Sequence, residues 1–184
     1  MAYEPFLSAA QFSIGTGGAV SQNDPRVSPL LDAASAAIRR YCGWHIFPVL
    51  PESVVLDGPG GSLLVLPTLH VTGITALSNA DTVEDVAGLE WSPRGMVRKR
   101  WGSWTDKFRG VSVTFEHGYE DVPDLKQIVQ QVVANALASP LGATREQAGQ
   151  TSVSWASTAP GVSGGLSLLE RDMAVVNTYK LVRA

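Results

Sequence analysis

The hydrophobic period of this chain changes twice, and that pattern constrains its fold more than any other feature. Leu30, Leu31, Ala34, Ile38, Tyr41 and Cys42 recur at helical spacing. From Pro48 the period falls toward two: Val111, Val113 and Phe115 alternate with Ser112 and Thr114, as a half-buried strand requires. A helical stripe then returns at Leu125, Ile128, Val129, Val132, Val133, Ala136 and Leu137, with one apolar face to bury. Helices on either side of a strand-rich segment predict an α+β fold. We expect a small helical bundle with a β-hairpin or sheet region inserted at about 50–116, within a single domain spanning 1–184.

Punctuation residues set the boundaries. Ser8 and Gln11 have capping-box spacing and open a short helix that Gly15 stops. Residues 16–23 read as loop. Ser28 is placed to cap the second helix with Pro29 at its first position, and Gly43 to end it. These two helices (8–43) and the third (123–139) make the expected helical core. Asp121 and Pro123 start the third helix, and Ser139-Pro140 ends it, because the residue before proline avoids the helical region. The expected strands are 53–56, 62–66, 70–77, 89–91, 96–100 and 111–115, the first two separated by the turn composition Asp57-Gly58-Pro59-Gly60-Gly61. Residues 142–166 are rich in Gly, Ser, Thr and Ala and read as an extended arm. Ser167 and Glu170 then form a second capping box, opening a helix faced by Leu169, Met173 and Val176; arm and helix together span 142–184.

Composition narrows the function classes. The lone Cys42 excludes an internal disulfide and a cysteine-rich zinc site, and it reads as a small buried apolar side chain. No apolar run is long enough to span a bilayer, and the first residues lack signal-peptide character, so a soluble intracellular product is expected. The net charge of −3 is unevenly spread. Between 94 and 109, Arg94, Arg98, Lys99, Arg100, Lys107 and Arg109 face only Asp106, so this segment carries +5 and the rest −8. Trp91, Trp101, Trp104 and Phe108 interleave with those cations. Aromatic residues among cations suit stacking on bases and contact with phosphates, and equally suit protein interfaces. Without a recognition helix, packing or subunit contact by a β-hairpin is the preferred reading, with weak contact to DNA in a channel as an addition.

Catalytic motifs are thin. Gly161-Val162-Ser163-Gly164-Gly165 matches the pattern of a serine-hydrolase elbow, but no histidine follows Ser163 to complete a triad. His45, His70 and His117 are far apart in sequence and none has a metal-type partner at i+3 or i+4, so no metal site is expected. The glycine clusters lack a following Lys-Ser/Thr, so no nucleotide site is expected either. Glu116, Glu120, Asp121 and Asp124 gather where the third helix starts, and its dipole accounts for them. We therefore expect neither enzyme activity nor a cofactor; a hydrolase using 161–165 is the distant alternative.

The stretches Asp32–His45, Leu66–Ile74, His117–Asp124 and Leu166–Leu181, in this order and spacing, resemble the head–tail connector (adaptor) proteins of siphovirus-type tailed phages, especially those of actinobacteria. The loop at 16–23 and the 81–88 stretch match less well. The resemblance implies a non-catalytic subunit of the virion neck, assembled as a dodecameric ring beneath the portal. It would surround genomic double-stranded DNA without sequence preference and hand over to a stopper or tail-completion protein. A stopper or other neck protein is the alternative within the same class. The resemblance also implies that the C-terminal segment docks on the portal. On that view Leu169, Met173, Val176 and Tyr179 form an apolar stripe rimmed by Arg171, Lys180 and Arg183. The competing reading folds this helix back onto its own subunit.

Overall fold

A computed structural model of the protein describes residues 3–138, 145–148, 151–154 and 168–182. The fold is α+β, and the chain divides into two compact units: Met1–Cys42 with Val122–Lys180, and Gly43–Asp121 with Leu181–Ala184.

The first unit is helical. Helix α1 (Ala9–Gly15) opens on the expected capping box, in which the Ser8 hydroxyl accepts the Gln11 N–H and the Gln11 carboxamide accepts the Ser8 N–H. Helix α2 spans Val27–Cys42, and here the expected cap is corrected. Ser28 already lies inside the helix, and just ahead of its start the Asp24 carboxylate accepts the Arg26 N–H at 2.9 Å. Asp24-Pro25 supplies the cap-then-proline pattern four residues earlier than Ser28-Pro29 does. Pro29 is still tolerated, because the first four N–H groups of a helix have no carbonyl partner inside it. Gly43 follows the helix at φ +84°, a conformation that excludes most side chains.

Helix α3 (Pro123–Ala138) buries Leu125, Ile128, Val129, Val132, Val133 and Ala136, close to the stripe read from sequence. They pack against α2, whose buried residues include Val27, Leu31, Ala34 and Ile38. The Gln130 carboxamide donates to the Gly15 carbonyl at 2.9 Å and so ties α3 to the end of α1. In the stretch read as an arm, β8 (Arg145–Ala148) and β9 (Thr151–Ser154) pair antiparallel, with Arg145 opposite Ser154. Helix α4 spans Glu170–Asn177. Its cap also differs from expectation, for Leu169 occupies the cap position and the Asp172 carboxylate accepts the Leu169 N–H at 3.1 Å. Ser139, Pro140 and Ser167 lie outside the described residues.

The second unit is built of strands. A four-stranded antiparallel sheet has the order β1 (Leu50–Leu56), β7 (Val111–His117), β3 (Val71–Asn79), β4 (Thr82–Val83). A three-stranded sheet has the order β2 (Leu63–Val65), β6 (Met96–Lys99), β5 (Leu89–Trp91). One core serves both sheets: Val111, Val113 and Phe115 of β7 join Leu77, Leu64, Val97 and Trp104. The two-residue period of β7 is fully realised, since Val111, Val113, Phe115 and His117 are buried while Ser112 and Glu116 are exposed. The turn composition at 57–61 does not make β1 and β2 a hairpin, for they join different sheets. Its backbone instead bonds to the 105–107 segment, Gly58 N–H to the Lys107 carbonyl and Gly60 N–H to the Thr105 carbonyl.

Candidate functional site

The structure sorts the basic, aromatic segment into separate roles. Trp104 is a core residue, 1% exposed, with its indole N–H donating to the Ser62 carbonyl at 3.1 Å. The Lys99 ammonium lies over the Trp104 ring, 4.8 Å from its centroid, and pairs with the Glu84 carboxylate. Neither Trp104 nor Lys99 is available to an outside partner. Arg100 pairs with Glu90 at 3.0 Å on the surface, where such pairs are weak. Arg109 sits at φ +54°, and its backbone N–H donates to Asp57 at 2.7 Å.

What stays open is a mixed surface. Trp101 and Phe108 are 85% and 87% exposed. Arg94, Arg98, Lys107 and Arg109 are exposed, with no acid in ion-pair reach among the described residues. A hairpin does form over 89–99, where β5 and β6 pair antiparallel across a turn at 92–95, while 100–109 lie beyond it; β6 is also the middle strand of the three-stranded sheet. Its register places Leu63 opposite Arg98 and Val65 opposite Met96, all four on the outer face. That face therefore combines exposed apolar side chains with a cation.

The C-terminal helix packs on its own unit. Val176 is fully buried, and its carbonyl accepts the Cys42 thiol of α2 at 3.5 Å. The Tyr179 hydroxyl reaches both Asp124 carboxylate oxygens at 2.9 Å, and the Tyr41 hydroxyl donates to the Asn177 carboxamide at 2.6 Å. Lys180 lies over the Tyr41 ring. The expectation of an exposed stripe is thus corrected: Val176 and Tyr179 are spent on α2 and α3, because an eight-residue helix is stable only when its apolar face is covered. Arg171 and Lys180 remain exposed, with Leu169 and Met173 half-buried. Beside them a shallow groove between α3 and α4 is lined by the apolar Ile128 and Val175 as well as by Asp124, Gln131, Arg171 and Asp172. Arg183 lies outside the described residues, as does Ser163 with its whole motif. Cys42 is the buried side chain expected, its thiol pushed up to about 11 by burial.

The histidines were expected not to converge, and here the structure corrects the sequence reading. His45 and His117 are 2% and 1% exposed, their ring centroids 4.2 Å apart. Glu52 brings Oε2 to 2.9 Å from His117 Nε2, off the line a hydrogen bond requires. Burial, helped by the neighbouring His45, pushes His117 down to about 3, so its ring is neutral at physiological pH in spite of the nearby carboxylate. His70 stands apart, with Nδ1 on the Gly118 carbonyl at 2.8 Å and its ring stacked on Tyr119. The signal that sequence reading missed is strand register. Glu52 pairs with Phe115 and Leu50 with His117, which makes Glu52 and His117 diagonal neighbours on one face. Among the described residues no helix is long and apolar enough to cross a membrane.

No family model and no curated protein matches this sequence. Solved structures do match. A chain from the neck of an empty GTA particle, computed with C6 symmetry, aligns over 100% of this chain and 95% of its own, at 20% identity and TM-score 0.61. A chain from the neck of a native GTA particle, computed with C12 symmetry, aligns over 100% and 94%, with the same identity and TM-score. At this identity the likeness establishes a shared fold.

Proposed function

We propose that this protein is a structural subunit of a phage-type neck, assembled as a ring at the head–tail interface of the virion and acting without catalysis. One observation carries the reading: both units and the C-terminal helix align end to end with neck chains from symmetric particles. The sequence resemblance to head–tail connectors points the same way from different evidence. Within that reading we assign the adaptor layer, between portal and stopper, with double-stranded DNA in the channel.

The surfaces suit such an assembly. The outer face of the small sheet, with Leu63, Val65, Met96 and Arg98, and the exposed Trp101 and Phe108 have the aromatic, apolar and arginine content of subunit interfaces. Arg94, Arg98, Lys107 and Arg109 are free to make weak contacts with phosphates, which would be sensitive to salt and indifferent to sequence. Portal docking falls to the outward part of the C-terminal end, Leu169, Arg171, Met173 and Lys180, because Val176 and Tyr179 are already engaged.

Electron microscopy and sedimentation of the purified chain, alone and with portal rings, test this. The adaptor reading expects closed rings whose formation is stimulated by portal. Binding only to a preformed adaptor–portal complex would move the protein to the stopper layer. A chain that stays monomeric with every neck component would overturn the assignment.

A further inference from the structure

We propose that His45, Glu52 and His117 form a binding site for a divalent transition-metal ion of the zinc type, which ties the segment before β1 to the adjacent ends of β1 and β7. The site lies wholly within the strand-built unit. His45 comes from the segment between α2 and β1, Glu52 from β1 and His117 from the last position of β7. One donor atom from each residue lies within 4.8 Å of the others. A tetrahedral ion with bonds of about 2.0–2.1 Å sets its donors roughly 3.3 Å apart. The 2.9 Å approach of Glu52 to His117 is near that spacing. Glu52, with its side chain 34% exposed, is the member with room to adjust.

The surroundings fit a ligand set better than a packed histidine pair. Both ring nitrogens of His117 are buried, and neither makes a hydrogen bond, a costly state for a polar group in a core. The Pro48 carbonyl lies 2.8 Å from His45 Nε2. A carbonyl only accepts, so that nitrogen carries the proton and Nδ1 presents the lone pair. A ring N–H donated to a backbone carbonyl is the usual outer support of a metal-bound histidine. Gly118 makes this closure possible, for a Cβ there would stand 2.4 Å from the Pro48 oxygen and 2.7 Å from His45 Nε2. Two neutral imidazoles and one carboxylate select zinc, copper, nickel or cobalt over calcium and magnesium, which prefer all-oxygen sites. The exposed side of Glu52 leaves a path for entry and a position for water.

The test uses the full chain without a histidine tag, stripped with EDTA. It is titrated with zinc by calorimetry and with cobalt by visible absorption, and melted with and without zinc. One ion per chain, cobalt d–d bands of low coordination and a zinc-dependent rise in Tm are expected. Glu52→Gln and His45→Gln should each weaken zinc by at least about tenfold, the loss that even an outer partner of a metal site causes. Glu52→Gln changes a half-exposed side chain and should keep the metal-free circular dichroism, while His70→Ala should bind as the parent does. No saturable binding by the parent chain would overturn the proposal. So would binding that persists in folded Glu52→Gln and His45→Gln, or that depends equally on His70.

Discussion

Trp104 and Trp101 lie three residues apart in one basic, aromatic segment, yet the structure assigns them opposite consequences. Trp104 is 1% exposed, and a buried tryptophan removes roughly 150–250 Å² from water. At about 25 cal/mol per Å² that transfer is worth roughly 4–6 kcal/mol, an upper bound because the unfolded chain is already partly collapsed. Trp→Ala in a core costs about 3–5 kcal/mol by direct comparison. The lost indole bond to the Ser62 carbonyl falls within that range. We expect Trp104→Ala to lower the stability of the strand-built unit by about 3–5 kcal/mol. Trp104→Phe, which keeps most of the packing and loses the N–H, should cost less. Trp101→Ala removes a side chain 85% exposed and should change stability by no more than about 0.5 kcal/mol, while impairing ring assembly. Urea unfolding followed by far-UV circular dichroism measures all three, since four other tryptophans would blur fluorescence. A Trp104→Ala loss below about 1 kcal/mol would refute the core assignment. A Trp101→Ala loss as large as that of Trp104→Ala would refute the surface one.

Three further outcomes are expected. Val129→Asp places a carboxylate at a fully buried position of α3 and should cost several kcal/mol, read as a large fall in Tm; an unchanged Tm would mean that face is not core. In EDTA-treated protein, His117 stays neutral in the folded state down to about pH 3, while the unfolded chain takes the proton near 6.5. Stability is therefore fully present above that value and falls as pH drops toward 3, by about 1.4 kcal/mol per pH unit and so roughly 2 kcal/mol between pH 6.5 and 5; urea midpoints that fall just as steeply in His117→Gln would exclude His117 as the source. Finally, Lys99→Ser should lower stability because Lys99 serves Glu84 and Trp104, whereas Arg98→Ser should leave folding intact and only weaken low-salt DNA retention on a filter; equal effects of the two on melting would contradict this sorting.

Local elements were legible in the sequence wherever one short-range rule governs them. The Ser8–Gln11 box, the α3 stripe and the alternation along β7 follow from capping and periodicity, and each appears where those rules put it. Pairing was not legible. The turn residues at 57–61 separate the first two strands in sequence, yet β1 joins β7 and β2 joins β6, because register is decided by which apolar faces meet in the shared core. The histidine cluster was hidden for the same reason: His45 and His117 are 72 residues apart, and only the β1–β7 ladder brings Glu52 alongside His117. The start of α2 was misplaced at Ser28 because Asp24-Pro25 and Ser28-Pro29 offer the same chemistry, and the helix begins at Val27, which is fully buried.

The C-terminal helix shows why an apolar stripe does not by itself name its partner. Leu169, Met173, Val176 and Tyr179 suit a portal and suit α2 and α3 equally well by composition. The polar groups decide between them. Tyr179 finds Asp124 at 2.9 Å and Asn177 finds Tyr41 at 2.6 Å, so the groups flanking Val176 already have partners within the unit. Truncation after residue 167 would expose the seat of Val176 and leave Asp124 without its hydroxyl donor. We therefore expect the truncated chain to be destabilised as well as defective in attachment. Val176→Ala, which deletes two methyl groups at a fully buried site, should cost about 2 kcal/mol. Arg171→Ser should spare the fold, because Arg171 is exposed and reaches the buried Asp172 carboxylate only at 3.5 Å. On the proposed adaptor reading, these variants separate docking on a portal from folding. If Arg171→Ser and Lys180→Ser together leave portal attachment at the parental level, α4 is a structural brace and the docking surface lies elsewhere on the chain.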